Sequence, residues 1–167
     1  NLAPTSSTTA TLAMGDAIAC ALMTVRKFKA SDFAQFHPGG SLGRRLLSRV
    51  KDYMRTNDLP IVERESKISD VLMQISLAKM GIAVVVEEDQ ILGTVTDGDI
   101  RRAMQRDQEH FFELTVKDIM SHAPKTILET AKLSQAESLM RKHNIHSLVV
   151  VNSDNKLVGV IDTFSCI

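Results

Sequence analysis

The chain has 167 residues, 44% of them hydrophobic, with 20 basic and 20 acidic side chains. That length holds one domain or two small ones, and the apolar content is ordinary for a protein with a core. Balanced charge argues against a nucleic-acid partner. Two cysteines, Cys20 and Cys166, are too few for a disulfide framework and suit a reduced cytoplasm.

Leu12 to Val25 is apolar enough to resemble a membrane span, but it is short for one and Asp16 interrupts it. It is predicted to be a buried helix rather than a membrane anchor. Thr8 or Thr9 should cap its start, and Arg26-Lys27 should mark its end, where cations favour the negative pole. The Ser/Thr run ahead of it, with Ser6 and Ser7, is either an anion site at a helix N-terminus or simple capping. A short helix from about Ser31 to Phe36 leads into His37-Pro38-Gly39-Gly40-Ser41-Leu42-Gly43-Arg44-Arg45-Leu46. Pro38 biases His37 away from helix, and the glycines permit turns closed to other residues. A loop histidine held this way suits acid–base work near neutrality; the alternative is a stiff connector with an incidental histidine. Arg44, Arg45, Arg49 and Lys51 read as a solvated helix face, with a phosphate patch as the alternative.

From Lys51 the chain repeats itself. Lys51-Asp52-Tyr53-Met54 recurs 66 residues on as Lys117-Asp118-Ile119-Met120, and Gly93 recurs as Gly159. Each copy has a short β segment (Pro60 to Val62; Lys125 to Ile127) and then a helix. The apolar residues Ile68, Val71, Leu72, Ile75 and Ala78, or Leu133, Ala136, Leu139 and Met140, give that helix one buried face. Two strands follow, Ala83 to Val86 and Ile91 to Thr96, or Ser147 to Val151 and Leu157 to Ile161, joined by acidic or Asn/Asp turns. Copy one adds a helix from about Gly98 to Arg106. Copy two reaches Ile167 before an equivalent helix, so it is expected to be one helix short.

Two tandem β-α-β-β-α units of about sixty residues resemble a pair of CBS (cystathionine-β-synthase) domains, a Bateman module. Leu2-Ala3-Pro4-Thr5-Ser6-Ser7-Thr8-Thr9-Ala10-Thr11-Leu12, Met14-Gly15-Asp16-Ala17 and the His-Pro-Gly-Gly run closely resemble the end of a sugar isomerase (SIS) domain. The specific likeness is to the arabinose-5-phosphate isomerases, in which two CBS repeats follow the SIS domain. The expected fold class is α/β (an α+β CBS pair). Residues 1–47 would be a helical remnant of an α/β SIS domain, residues 51–110 CBS repeat 1, and residues 115–167 a C-terminally short CBS repeat 2.

The resemblance implies a parent enzyme, an aldose–ketose isomerase. It would interconvert D-ribulose 5-phosphate and D-arabinose 5-phosphate for Kdo and lipopolysaccharide synthesis, with a sugar phosphate substrate and no metal or other cofactor. The family's catalytic histidine falls on His37; its lysine and two glutamates would lie ahead of Asn1. This chain alone would then be the regulatory part and inactive. The alternative is a nucleotide-sensing CBS module of another protein. SIS isomerases are oligomers and CBS pairs associate, so at least a homodimer is expected. The expected setting is cytoplasmic, without a membrane or nucleic-acid partner.

CBS sites carry Gly-x-x-Thr/Ser-x-x-Asp after the last strand, and Gly93-Thr94-Val95-Thr96-Asp97-Gly98-Asp99 matches. Thr96 offers a hydroxyl to a phosphate or ribose, and Asp99 can accept from two ribose hydroxyls. Asp97 to Asp99 open a helix with free N–H groups, and Arg101 and Arg102 could reach a phosphate. Gly98 would let a ligand approach the backbone. Asp97 or Asp99 could equally just cap the helix. The candidate cleft ligand is a nucleotide: an adenine nucleotide, or CMP-Kdo as a pathway product. In copy two Asp162 stands where Thr is expected and Ser165 where Asp is, which implies a weaker site. His143 and His146 lack partners for a metal site. Phe111 and Phe112 read as docking the connector between copies, and the eight methionines as core filler.

Overall fold

The computed structural model describes residues 3–36, 40, 43 and 47–166. The chain divides into two compact units, residues 1–47 and 48–167.

In the first unit, helix α1 spans Thr5–Val25 and α2 spans Ala30–Phe36. The start of α1 differs from the sequence expectation. Pro4 is the N-cap, and no side chain caps the free amides. The hydroxyls of Ser7, Thr8, Thr9 and Thr11 instead donate back to main-chain carbonyls three or four residues earlier. A helical serine or threonine finds that acceptor within its own reach. The run is therefore the first turns of the helix, not a loop ahead of it. Nor is α1 buried: none of its residues is. Among the described residues this unit has no sheet for the helix to lie on. At 21 residues it is also longer than the apolar stretch that marked it, and by length and composition it could cross a membrane. The core helix of a soluble protein passes the same test.

The second unit holds two three-stranded sheets of identical plan. In the first, β1 (Ile61–Val62) runs parallel to β2 (Ile82–Glu87), which pairs antiparallel with β3 (Gln90–Thr96). Helix α3 (Ile68–Ala78) makes the crossover. In the second, β4 (Thr126–Leu128), β5 (Ser147–Val151) and β6 (Leu157–Asp162) repeat the order. Bulges fall at matching places, Val85/Val86 and Val150/Val151. Glu88 and Asp89, both at positive φ, form the two-residue turn between β2 and β3. Helix α4 spans Asp97–Asp107, α5 Val116–Ile119 and α6 Leu133–His143. Among the described residues, a single turn of 3-10 helix, Phe164–Cys166, stands in copy two where copy one has α4.

Three cores hold this together. One lies between the sheet of copy one and its helices, built on Ile68, Val71, Ile75, Val85 and Val95. A second does the same for copy two with Leu133, Ala136, Met140, Leu148 and Ile161. A third joins the copies through Ile82 and Val84 on one side and Val149, Val151 and Val160 on the other.

The segment that leads into each copy packs on the other copy. Val50, Tyr53 and Met54 belong to the copy-two core, while Val116 and Met120 belong to that of copy one. Phe111 is buried there too, whereas Phe112 stays exposed, so only one of the pair docks the connector. Met14, Met23, Met73 and Met104 lie exposed on helix surfaces, so half of the methionines are not core filler.

Candidate functional site

A cavity of about 810 Å³ lies between the two copies. The end of β3 and the start of α4 form one wall, and the segment Ser121 to Lys125 continues it. The starts of β2 and β5, with Asp162 at the end of β6 and Thr163 and Phe164 after it, complete the lining.

The geometry at α4 follows from its capping box. Thr96 is the N-cap; its Oγ1 accepts from the Asp99 amide at 3.3 Å and donates to Asp99 Oδ2 at 2.6 Å. Asp99 Oδ2 also accepts from the Thr96 amide at 2.9 Å. Each thereby satisfies a helix-end donor of the other. Arg102 Nη2 donates to Asp99 Oδ1. Thr96, Asp97, Asp99 and Arg102 thus come together on one wall, as do Gly98 and Arg101. A Cβ on Gly98 would lie 3.3 Å from the Arg102 guanidinium, which would have to give slightly.

Capping therefore engages Asp99, yet its acceptor capacity is not exhausted. A carboxylate has about four lone-pair sites. Oδ1 accepts from Arg102 and Oδ2 from Thr96, which leaves room at Oδ1 for a hydroxyl. Lys79, Arg101, Arg102 and Lys125 bring four cations to the cavity lining, against the carboxylates of Asp97, Asp99 and Asp162. These groups offer donors to an anion and acceptors to the hydroxyls of a polyol.

Copy two carries the same pair with roles exchanged. Asp162 takes the N-cap place, and its Oδ1 accepts from both the amide and the hydroxyl of Ser165, each at 2.8 Å. Among the described residues its Oδ2 accepts nothing. Nearby, burial pushes the Cys166 thiol up to about 11, helped by the charges of Glu137 and Asp162.

His37 lies outside the described residues, as do Arg44 and Arg45. His146 lines the cavity and His143 ends α6; among the described residues no cluster of ligands could hold a metal. Sequence reasoning missed Ser121 to Lys125. They belong to copy two in order but to the copy-one wall in space, because Thr94 and Ser121 pair across the copies.

Two facing copies with a shared cleft define a Bateman architecture, and the chain belongs to the CBS domain family, which it matches over residues 50–106 and 116–165. A CBS domain protein from Pyrobaculum aerophilum, solved in complex with AMP, is similar in fold: TM-score 0.63 and 25% identity over 71% of this chain and 89% of that one. Two relatives extend over nearly all of the chain. A protein named probable arabinose 5-phosphate isomerase from Haemophilus influenzae is 49% identical over 97% of this chain and 48% of its own length. Arabinose 5-phosphate isomerase KpsF from Escherichia coli is 42% identical over 98% of this chain and 50% of its own. The chain thus spans about half the length of these relatives.

Proposed function

We propose that this chain is the regulatory part of an arabinose-5-phosphate isomerase and that the cleft between its CBS copies is a nucleotide sensor. Residues 1–47 are the end of the SIS domain, and residues 51–110 and 115–167 are the two CBS repeats. Helix α1 is then a core helix of the SIS domain. The likeness to named isomerases over nearly all of the chain supports this assignment.

The observation that carries the sensor reading is the wall of Thr96, Asp97, Asp99 and Arg102 on a cavity large enough for a nucleotide. Asp99 accepts from ribose hydroxyls, Thr96 and the α4 amides meet phosphate, and Arg101 and Arg102 balance its charge. AMP and ATP are candidates, and the neighbour solved with AMP supports them. CMP-Kdo is the candidate if the sensor reports a pathway product. Calorimetry of the purified chain with CMP-Kdo, CMP, AMP and ATP tests this. No heat from any of them at millimolar ligand, with the chain folded, would leave the pair a structural element.

In the whole enzyme, His37 opens the sugar ring or shuttles the proton between adjacent carbons through an enediolate. By itself the chain should not isomerise sugar phosphates, because proton transfer needs its groups placed together. His37→Ala in the full-length enzyme should lower kcat by about 10²–10⁴; near-normal turnover would remove it from the mechanism. We also expect at least a homodimer, which a monomer mass by light scattering at micromolar concentration would contradict.

A further inference from the structure

The two copies repeat at a shift of 65 or 66 residues, yet the cavity between them is one-sided. Near its centre the lining comes in counterparts: Lys79 to Ile82 with Asn144 to Ser147, and Thr96 with Asp162. Away from the centre it extends towards copy one only, along Thr94, Asp99 and the segment from Ser121. The bridges Thr94↔Ser121 and Arg55↔Val160 make Arg55 the counterpart of Ser121. Arg55 and Val160 are absent from the lining.

The side chains at this position differ. Ser121 is small and exposed. Arg55 is half-buried; its Nη1 donates to the carbonyl of Ala78 at 2.6 Å and its Nε to that of Asn57 at 3.1 Å. Ala78 is the last residue of α3, where carbonyls lack helical partners and the helix end is negative. A guanidinium is well held there. It crosses from the exchanged segment to the end of α3. On the copy-one side the corresponding space, between Ser121 and Asn144, is open.

We propose that Arg55 is a seal that closes the second, pseudo-equivalent ligand site of the pair, so that each chain binds one nucleotide, on the copy-one side. The inference rests on the nucleotide reading of the cleft. In copy two Ser165 stands where copy one has Asp99, so the sealed site offers a weaker clamp.

AMP serves as the probe. Calorimetry should give one AMP per wild-type chain and two per Arg55→Ser chain, the second about tenfold weaker because a partial clamp receives it. Arg55→Gln, which keeps a donor but not the double reach, is the companion variant should the serine chain not fold. Independently of any ligand, the Arg55 Nε–H of the wild type should appear in NMR spectra as a slowly exchanging resonance. One AMP per folded variant chain, or loss of the first site on substituting Arg55, overturns the seal. If no chain binds AMP, the nucleotide reading fails for that ligand, and the resonance decides the seal: protection supports it and rapid exchange ends it.

Discussion

Thr94 and Ser121 exchange both backbone hydrogen bonds, at 3.0 and 2.8 Å, and so fasten the segment leading into copy two onto the sheet of copy one. Arg55 and Val160 do the reverse, at 2.9 and 3.0 Å. A glycine precedes each strand partner. A Cβ on Gly93 would stand 2.4 Å from the Ser121 carbonyl oxygen, and one on Gly159 2.7 Å from that of Arg55. Both obstacles are backbone, so the exchanged segment would have to move. Gly93→Ala and Gly159→Ala should each cost about 1–3 kcal/mol, the first more than the second. Urea unfolding measures this; unchanged midpoints would mean that the crossing is looser than the structure has it.

Asp99 caps α4 and faces the cleft, so its removal has two effects that a control can separate. Asp118 makes the same box with Thr115, at 2.8 Å to both its amide and its hydroxyl. It is not part of the cavity lining. Asp99→Ala and Asp118→Ala should each lose about 1 kcal/mol of stability with the cap. Only Asp99→Ala should weaken nucleotide binding, by about 1–3 kcal/mol. Equal affinities in the two variants would reduce Asp99 to a cap.

The Thr115 amide, and then its hydroxyl, hold the Asp118 carboxyl below its ordinary 3.8. A carboxyl whose folded value is depressed adds stability above its unfolded value and loses it as pH falls through the folded one. The stability difference between wild type and Asp118→Asn should be constant from neutrality to about pH 4. Below that it should shrink. A difference that stays undiminished down to pH 2 would contradict the cap as its source.

With its thiol raised to about 11, Cys166 has about one thousandth of its population as thiolate at pH 8. Cys20 is exposed. Alkylation followed by mass spectrometry should label Cys20 first and Cys166 slowly, with the Cys166 rate still rising beyond pH 9. Equal rates at pH 8 would show that the copy-two end opens readily.

Much of the second unit was legible because each copy writes the same pattern twice. The spacing of Ile68, Val71, Ile75 and Ala78 fixed one face of α3, and strand ends fell within a residue of expectation. The wall of Thr96, Asp97, Asp99 and Arg102 was legible too, since a capping box is local. The exchange of leading segments was not. Lys51 to Met54 sit beside copy one in sequence, and only long-range pairing sends them to copy two. Gly93 and Gly159 marked the repeat without revealing what crosses them, and the reach of Arg55 to Ala78 has no local signature. At α1 the apolar run indicated burial, but the described residues of its unit offer no surface to bury it.

The most direct test of the sensor reading is a backbone-amide NMR titration of the wild-type chain with AMP and with CMP-Kdo. The expected result is saturable shifts at Gly81, at Thr96 to Arg102 and at Ser121, abolished in Asp99→Ala. Shifts confined to other surfaces, or none at millimolar ligand, would contradict it.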